Sequence, residues 1–286
     1  MQTLYPQTEA DLIKIFQVAK ASGAALCFGC YGEVDRYGEK QAQAAGVQSK
    51  DAFIFDHTKH LNRLLAFDMQ RQLVMVQPGM LLADLNAFVL PHGLCLPIDL
   101  GAQADQTIDH LVSCNTLGTH FKQFGRVVHF VAAIEALLDD GSSVRFSTFG
   151  DGGDMQITSL RMRSLIPQLF TLAAQYREQI AQELGSRPWR TQGYNLDIFD
   201  ETTQVIRPYN PNRSVNLAHL LVGSRGRLAL SKNITLRLAK LAPQNTQTAP
   251  LSRAESETEN VAFSPALQQA FESVRQLFDP QNRLNR

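Results

Sequence analysis

Residues 71–99 read RQLVMVQPGMLLADLNAFVLPHGLCLPID. The first part runs through apolar, strand-forming positions into a Pro78-Gly79 turn. Leu81, Leu82, Leu85, Phe88, Val89 and Leu90 then recur at helical spacing until Pro91 and Gly93 end the pattern. Strand, turn and helix thus follow one another directly. Downstream, VVHFVAAIEALLDDGSSVRF (127–146) predicts two strands joined at Asp140-Gly141. A stretch this apolar is also compatible with a helix, but the Asp-Gly pair and the β-branched content favour strands. Upstream, AALCF (24–28) and DAFIFD (51–56) have the length and character of buried strands. TEADLIKIFQVAKASG (8–23) is an amphipathic helix with Thr8 as its cap, acids in its first turn and Gly23 as its stop. The opening is therefore βαβ-like.

Further along, GDGGDM (150–155) is a loop and Ser164–Leu184 the clearest long helix. LAHLLVGSRGRLALSKNITLRLAKL (217–241) predicts a short helix, a glycine-rich turn and alternating strands. From Pro243 to about Phe263 the composition shifts to Gln, Thr, Ser and Glu, which reads as an exposed linker, and SPALQQAFESVRQLF (264–278) is a last helix.

The 286-residue chain is long enough to bury a large core, and 44 % of it is hydrophobic. Its 27 basic residues balance 27 acidic ones, so no electrostatic footprint points to nucleic acid or an anionic membrane. No apolar run approaches the length of a membrane span, and MQTLYPQTEADL lacks the basic and apolar blocks of a signal peptide. Four cysteines are too few for a disulfide scaffold, so free thiols and a cytoplasmic location are expected.

Cys27 and Cys30 form a Cys-x-x-Cys pair in CFGCYGEVDRYG (27–38), which admits a redox dithiol, half a metal site or a phosphate loop. A redox pair needs a helix N-terminus to lower its thiol pKa, and the residues after Cys30 make a poor amphipathic helix. A zinc site needs a second ligand pair, and Cys95 and Cys114 stand apart, so no metal is expected. His57 and His60 in DHTKH lack helical i, i+4 spacing and read as solvated or satisfied side chains.

The order of segments says more than any one of them. The run from Phe53 to Phe146 resembles the FAD-binding domain of the vanillyl-alcohol oxidase and p-cresol methylhydroxylase superfamily. Within it the run looks most like the D-lactate and glycolate dehydrogenase branch of FAD-linked oxidases. WRTQGYNLDIFD (189–200), NLAHLLVGSRGRLALSKNITLRLAKLAP (216–243) and VRQLFDPQNRLN (274–285) resemble later motifs of that branch in the same order. The resemblance implies an α+β, two-subdomain fold: a small βαβ-type N-terminal subdomain beside a mixed or antiparallel sheet with flanking helices. It implies an FAD-binding domain over residues 1–243, a linker over 244–263 where the branch carries a substrate domain, and a C-terminal helix and tail over 264–286.

By the same resemblance, non-covalent FAD would be held by Gly29, Cys30, Tyr31 and Gly32 in the first loop, and by Pro78 in the turn after the strand. Thr107, Ile108, Asp109, His110, Ser113, Asn115, Gly118 and Gly125 would follow in the second region, and Gly223, Ser224 and Gly226 in the third. The chain departs from the pattern at Cys30 and Tyr31, at Asp109-His110 where two glycines are usual, and at Arg225 and Arg227 where the motif reads GSEGTL. A carboxylate beside a diphosphate is unfavourable unless it points away or is neutralised; the arginines could offset lost backbone contacts or pair with Asp109. The implied activity is hydride transfer from a small 2-hydroxy acid to flavin, with a protein partner supplying the substrate domain. No residue is nominated as the base. The alternatives are a non-catalytic scaffold of the same fold with weak or no FAD binding, and a protein binding another nucleotide in the cleft.

Overall fold

The computed structural model describes residues 2–22, 24–28, 52–57, 59–98, 106–118, 121–187, 190–199, 214–240 and 262–284. Two sheets organise the chain. The smaller contains β1 (Gln2–Leu4), β2 (Ala25–Phe28) and β3 (Ala52–Phe55), all parallel in the order β1-β3-β2, with α1 (Glu9–Ser22) connecting the outer two. A parallel neighbour requires a crossover, and α1 supplies it. Its buried stripe, Leu12, Phe16 and Ala19, closes a small core with Leu26 and Leu61. Sequence patterning missed β1, because three residues carry no periodicity.

The larger sheet is antiparallel throughout. It contains β4 (Leu64–Asp68), β5 (Leu73–Val76), β7 (Val131–Leu137), β8 (Ser143–Phe146) and β11 (Leu230–Arg237) in the order β4-β5-β11-β7-β8. Two-residue strands lie outside it: β6 (Leu94–Cys95) pairs with β12 (Ala239–Lys240), and β9 (Thr148–Phe149) with β10 (Val215–Asn216). The predicted hairpin is β7-β8, turning at Gly141 with φ +84°. Val127–Phe130, expected as strand, forms a 3-10 turn instead, with Val127 and Val128 fully buried. On β11 the side chains alternate between buried and part-exposed as the pattern required. Lys232 falls on the buried side, where Glu9 of α1 and Ser143 take its ammonium and tie the small subdomain to the sheet.

The remaining helices cover the sheet and its ends: α2 (Leu82–Val89), α3 (Ile108–Ser113), α4 (Phe121–Phe124), α5 (Leu160–Gln175), α6 (Arg177–Gln179), α7 (Ala218–Leu221) and α8 (Pro265–Phe278). α5 begins earlier than the apolar pattern suggested because Ser159 accepts a cap bond from the Met162 amide at 3.1 Å. It stops at Tyr176 and resumes as a π turn over Ile180–Leu184. Met162, Leu165, Ile166, Leu169, Leu172 and Ala173 form its buried face, each large side chain contributing about 1.5–3 kcal/mol. α8 packs on α5, with Phe278 against Phe146 at a centroid distance of 6.1 Å. Beyond α8 the chain reaches the small subdomain, where Leu26 donates its amide to Arg283 O at 2.9 Å.

Candidate functional site

The site is assembled around α3, a helix too short to stand alone. Thr107 caps it by accepting from the His110 amide at 3.2 Å. The Pro78-Gly79 turn lies along the same end: Asp109 N donates to Pro78 O at 3.0 Å and Ile108 N to Met80 O at 2.8 Å. At the other end loop 223–227 takes the helix's last carbonyls, Gly223 N donating to Val112 O and Arg225 N to Ser113 O, each at 2.9 Å. The loop reverses through Gly223 (φ +81°), Arg225 (φ +53°) and Gly226 (φ +70°). Asn115 Cβ sits 3.3 Å from where a Gly223 Cβ would be, so a side chain there meets both strain and a neighbour.

Pro78, Thr107, Ile108, Asp109, His110, Ser113, Asn115, Gly223, Ser224 and Gly226 are therefore gathered on one helix and its two flanking turns. Gly118 and Gly125 bracket α4, where Gly118 O accepts from Phe121 N at 3.2 Å and Gly125 N donates to Phe121 O at 2.7 Å. Gly29, Cys30, Tyr31 and Gly32 lie outside the described residues.

Asp109 does not answer to Arg225 or Arg227. Burial pushes its carboxyl above the usual range, opposed by the nearby His57 ring and a hydrogen bond from Ser231 on β11. His57, just beyond β3, is buried rather than solvated, at 4 % exposure. Burial lowers its pKa against the pull of Asp109 and Asp56, and its Nε2 is screened from solvent with no hydrogen bond. Spacing within DHTKH could not reveal this, because the partner comes from a distant helix. Burial also raises the pKa of the Cys95 thiol. Among the described residues no cluster of three or more His, Cys, Asp or Glu is placed to hold a metal.

Beside loop 223–227 opens a cleft of ≈ 390 Å³ between that loop, Gln192–Tyr194 and the flank of α8. Its cations are Arg225, Arg227 and Arg275, and its aromatic wall is Tyr194, Phe263 and Phe271. Beneath it lies a polar core. Arg190 donates to Asp197 and, at 3.0 Å, to Asn195; Arg126 donates to Arg190 O; Asn195 Nδ2 reaches Val222 O at 3.0 Å and so holds the start of the loop. Buried arginines carry no signature in sequence, where charge reads as surface.

His219 of α7 joins this core, its Nε2 lying 3.1 Å from Val131 O and its O accepting from Asn195 Nδ2. Burial lowers its pKa to about 4 from 6.5, partly offset by Val131 O and Asp197. The unfolded chain therefore binds the extra proton first: the stabilising effect is whole above pH 6.5 and is lost as pH falls towards 4. Unfolding free energy should drop by about 3 kcal/mol across that window from this group alone. Denaturant melts at both ends of the window check it, and a His219→Gln chain that loses as much stability would show that another group is responsible.

The described residues suit a flavin dinucleotide in two respects. His57 Nε2 is an orphaned buried polar atom at the junction of the two subdomains, and Gly223 and Gly226 give loop 223–227 a backbone free of side chains beside α3. Against it, the amides of Ile108, Asp109 and His110 are already engaged within the protein.

Comparison with known proteins agrees with this architecture. A D-2-hydroxyglutarate dehydrogenase of Haemophilus influenzae is 25 % identical over 247 residues, covering 84 % of this chain and 22 % of the relative. A second, from Pantoea ananatis, is 23 % identical over 83 % of this chain and 22 % of its own length. L-gulonolactone oxidase of Mus musculus is 30 % identical over 59 % of this chain and 39 % of its own. The chain thus spans about a fifth of the length of the dehydrogenases it matches. A solved alkyldihydroxyacetonephosphate synthase shares the fold, with a TM-score of 0.50 and 11 % identity over 85 % of this chain and 32 % of that one. Residues 2–147, both sheets' first strands and the whole of α3 among them, match the FAD binding domain family, and it is to this family that the chain belongs, with FAD as its cofactor.

Proposed function

We propose that the chain is the flavin-holding part of a 2-hydroxyacid dehydrogenase, oxidising a substrate such as D-2-hydroxyglutarate, D-lactate or glycolate in concert with a partner protein that completes the substrate site. One observation carries the reading: Pro78, Thr107–Asn115 and Gly223–Gly226, far apart in the chain, converge on α3 through backbone hydrogen bonds. FAD when bound supplies the two-electron acceptor for hydride from the α-carbon. His57 and the backbone of Gly223 and Gly226 would contact it, while the Asp109 carboxyl is engaged by His57 and Ser231. The base that takes the hydroxyl proton is assigned to the partner. In the same reading residues 1–243 are the FAD-binding domain, 244–263 a linker and 264–286 a closing helix and tail. The setting is the cytoplasm, which Cys95 and Cys114, neither of them in a disulfide, support.

Titration with FAD tests this. Saturable quenching of flavin fluorescence is expected, with a gain in stability of about 2.7 kcal/mol at a hundredfold excess over Kd. Neither effect, in protein that is colourless as purified, would sink the reading. A second reading, a scaffold that binds FAD weakly, is favoured by the internally satisfied amides of Ile108, Asp109 and His110. Binding without turnover of any of the three acids, with an artificial acceptor present, would leave the scaffold or the missing partner.

A further inference from the structure

We propose that the cleft between loop 223–227 and α8 is a separate site for a compact organic dianion, a dicarboxylate or a phosphate monoester, held by Arg225, Arg227 and Arg275.

Charge count comes first. Three arginines and one acid, Glu272, line the cleft. Glu272 lies 3.7 Å from Arg275, so the side chains lining the cleft carry three formal positive charges against one negative. Concave walls with aromatic, low-dielectric sides strengthen such a field and make a doubly charged anion its natural complement. The Arg227 guanidinium has no hydrogen-bond or ion-pair partner among the described residues, though it acts at a distance on the Tyr194 hydroxyl. Arg275 donates to Asn282 through Nη2, yet its Nε is screened from solvent and makes no hydrogen bond. A buried donor left unmet, as Arg275 Nε is, costs stability unless something accepts from it.

The rest of the lining suits a small organic body. Tyr194 and Phe263 each meet Phe271 edge to face, with centroids 5.6 and 5.2 Å apart, which gives a rigid apolar wall. Burial raises the Tyr194 hydroxyl to about 12, so it offers a neutral donor and no competing negative charge. Gln192 and Gln268 add amides. At ≈ 390 Å³ the cleft lies at the small end of ligand sites, which favours a compact anion over a dinucleotide. Arg225 holds φ +53°, a conformation that costs a non-glycine residue energy and places a cation where the similar motif carries Glu.

Isothermal titration of the full chain at low ionic strength tests this with D-2-hydroxyglutarate, inorganic phosphate and FAD in separate arms. Saturable binding of D-2-hydroxyglutarate or phosphate is expected, with D-lactate weaker than either. Arg227→Gln should weaken the dianion about tenfold or more while FAD affinity stays within a factor of about two. Arg227→Lys should recover part of the loss, and it decides the matter if the glutamine variant does not fold. Preference between the first two probes says which dianion source the cleft serves. Absence of binding by both probes, indifference to Arg227→Gln, or competition between dianion and FAD would each overturn a separate site. Because FAD is titrated on the same protein, failure here is distinguishable from failure of the flavin reading.

Discussion

Replacing Asp197 with alanine should lower the unfolding free energy by about 3–5 kcal/mol, the range found when one partner of a buried ion pair is removed. Arg126 and Arg190 are almost fully buried, and Asp197 receives Arg190 directly. Arg126 donates to the Arg190 carbonyl, so the removed charge leaves the Arg190 guanidinium inside the protein without its carboxylate. The effect should extend to loop 223–227, because Asn195, held by the same Arg190 Nη2, anchors Val222 O. FAD and dianion affinities should therefore fall along with stability. Denaturant titration of Asp197→Ala beside the double variant Arg190→Met, Asp197→Leu decides the cause. The double variant should be the more stable of the two, since it removes the cation together with its partner. If it is the less stable, packing around these side chains matters more than their charge.

Much of the sheet was legible because its signals are local. Asp140-Gly141 announces the β7-β8 turn, and alternation along Leu230–Leu236 survives in the burial of β11. The helix α2 was equally plain, its end marked by Pro91 and by Gly93 in the left-handed region. The α3 region was legible as a motif only, since six residues with one good cap carry little periodicity and depend on Pro78 and loop 223–227 for their shape. What chain order conceals is juxtaposition. Asp109 looked like a charge set against a diphosphate, and a pairing with Arg225 or Arg227 was one way out. The structure gives it His57 and Ser231 instead, from two other strands' ends. The cleft was hidden for the same reason: Tyr194, Arg227 and Arg275 belong to three separated segments, and nothing in any one of them marks a wall.

Gly79→Ala should be a strongly damaging single-methyl change at the site. A Cβ on Gly79 would stand 2.3 Å from His57 O, 2.7 Å from His57 C and 2.9 Å from Leu61 O, all of them backbone atoms. Nothing there can rotate away. Turn 57–61 is itself closed by Leu61 N donating to His57 O at 3.1 Å, and Gly79 N donates to Leu61 O at 2.8 Å, so relief means breaking one of these bonds or moving the turn. A cost of about 3 kcal/mol is expected, the upper part of the range for overpacking. Moving the turn also moves His57, so FAD affinity should fall even at temperatures where the variant remains folded. Gly93→Ala is the control: its φ of +71° strains an alanine, but no atom lies within 4 Å of the new methyl. It should cost about 1 kcal/mol and leave FAD affinity unchanged. Equal losses in the two variants would mean that backbone conformation, and not the close approach of Gly79 to the His57 turn, explains the glycine in the Pro78-Gly79 turn.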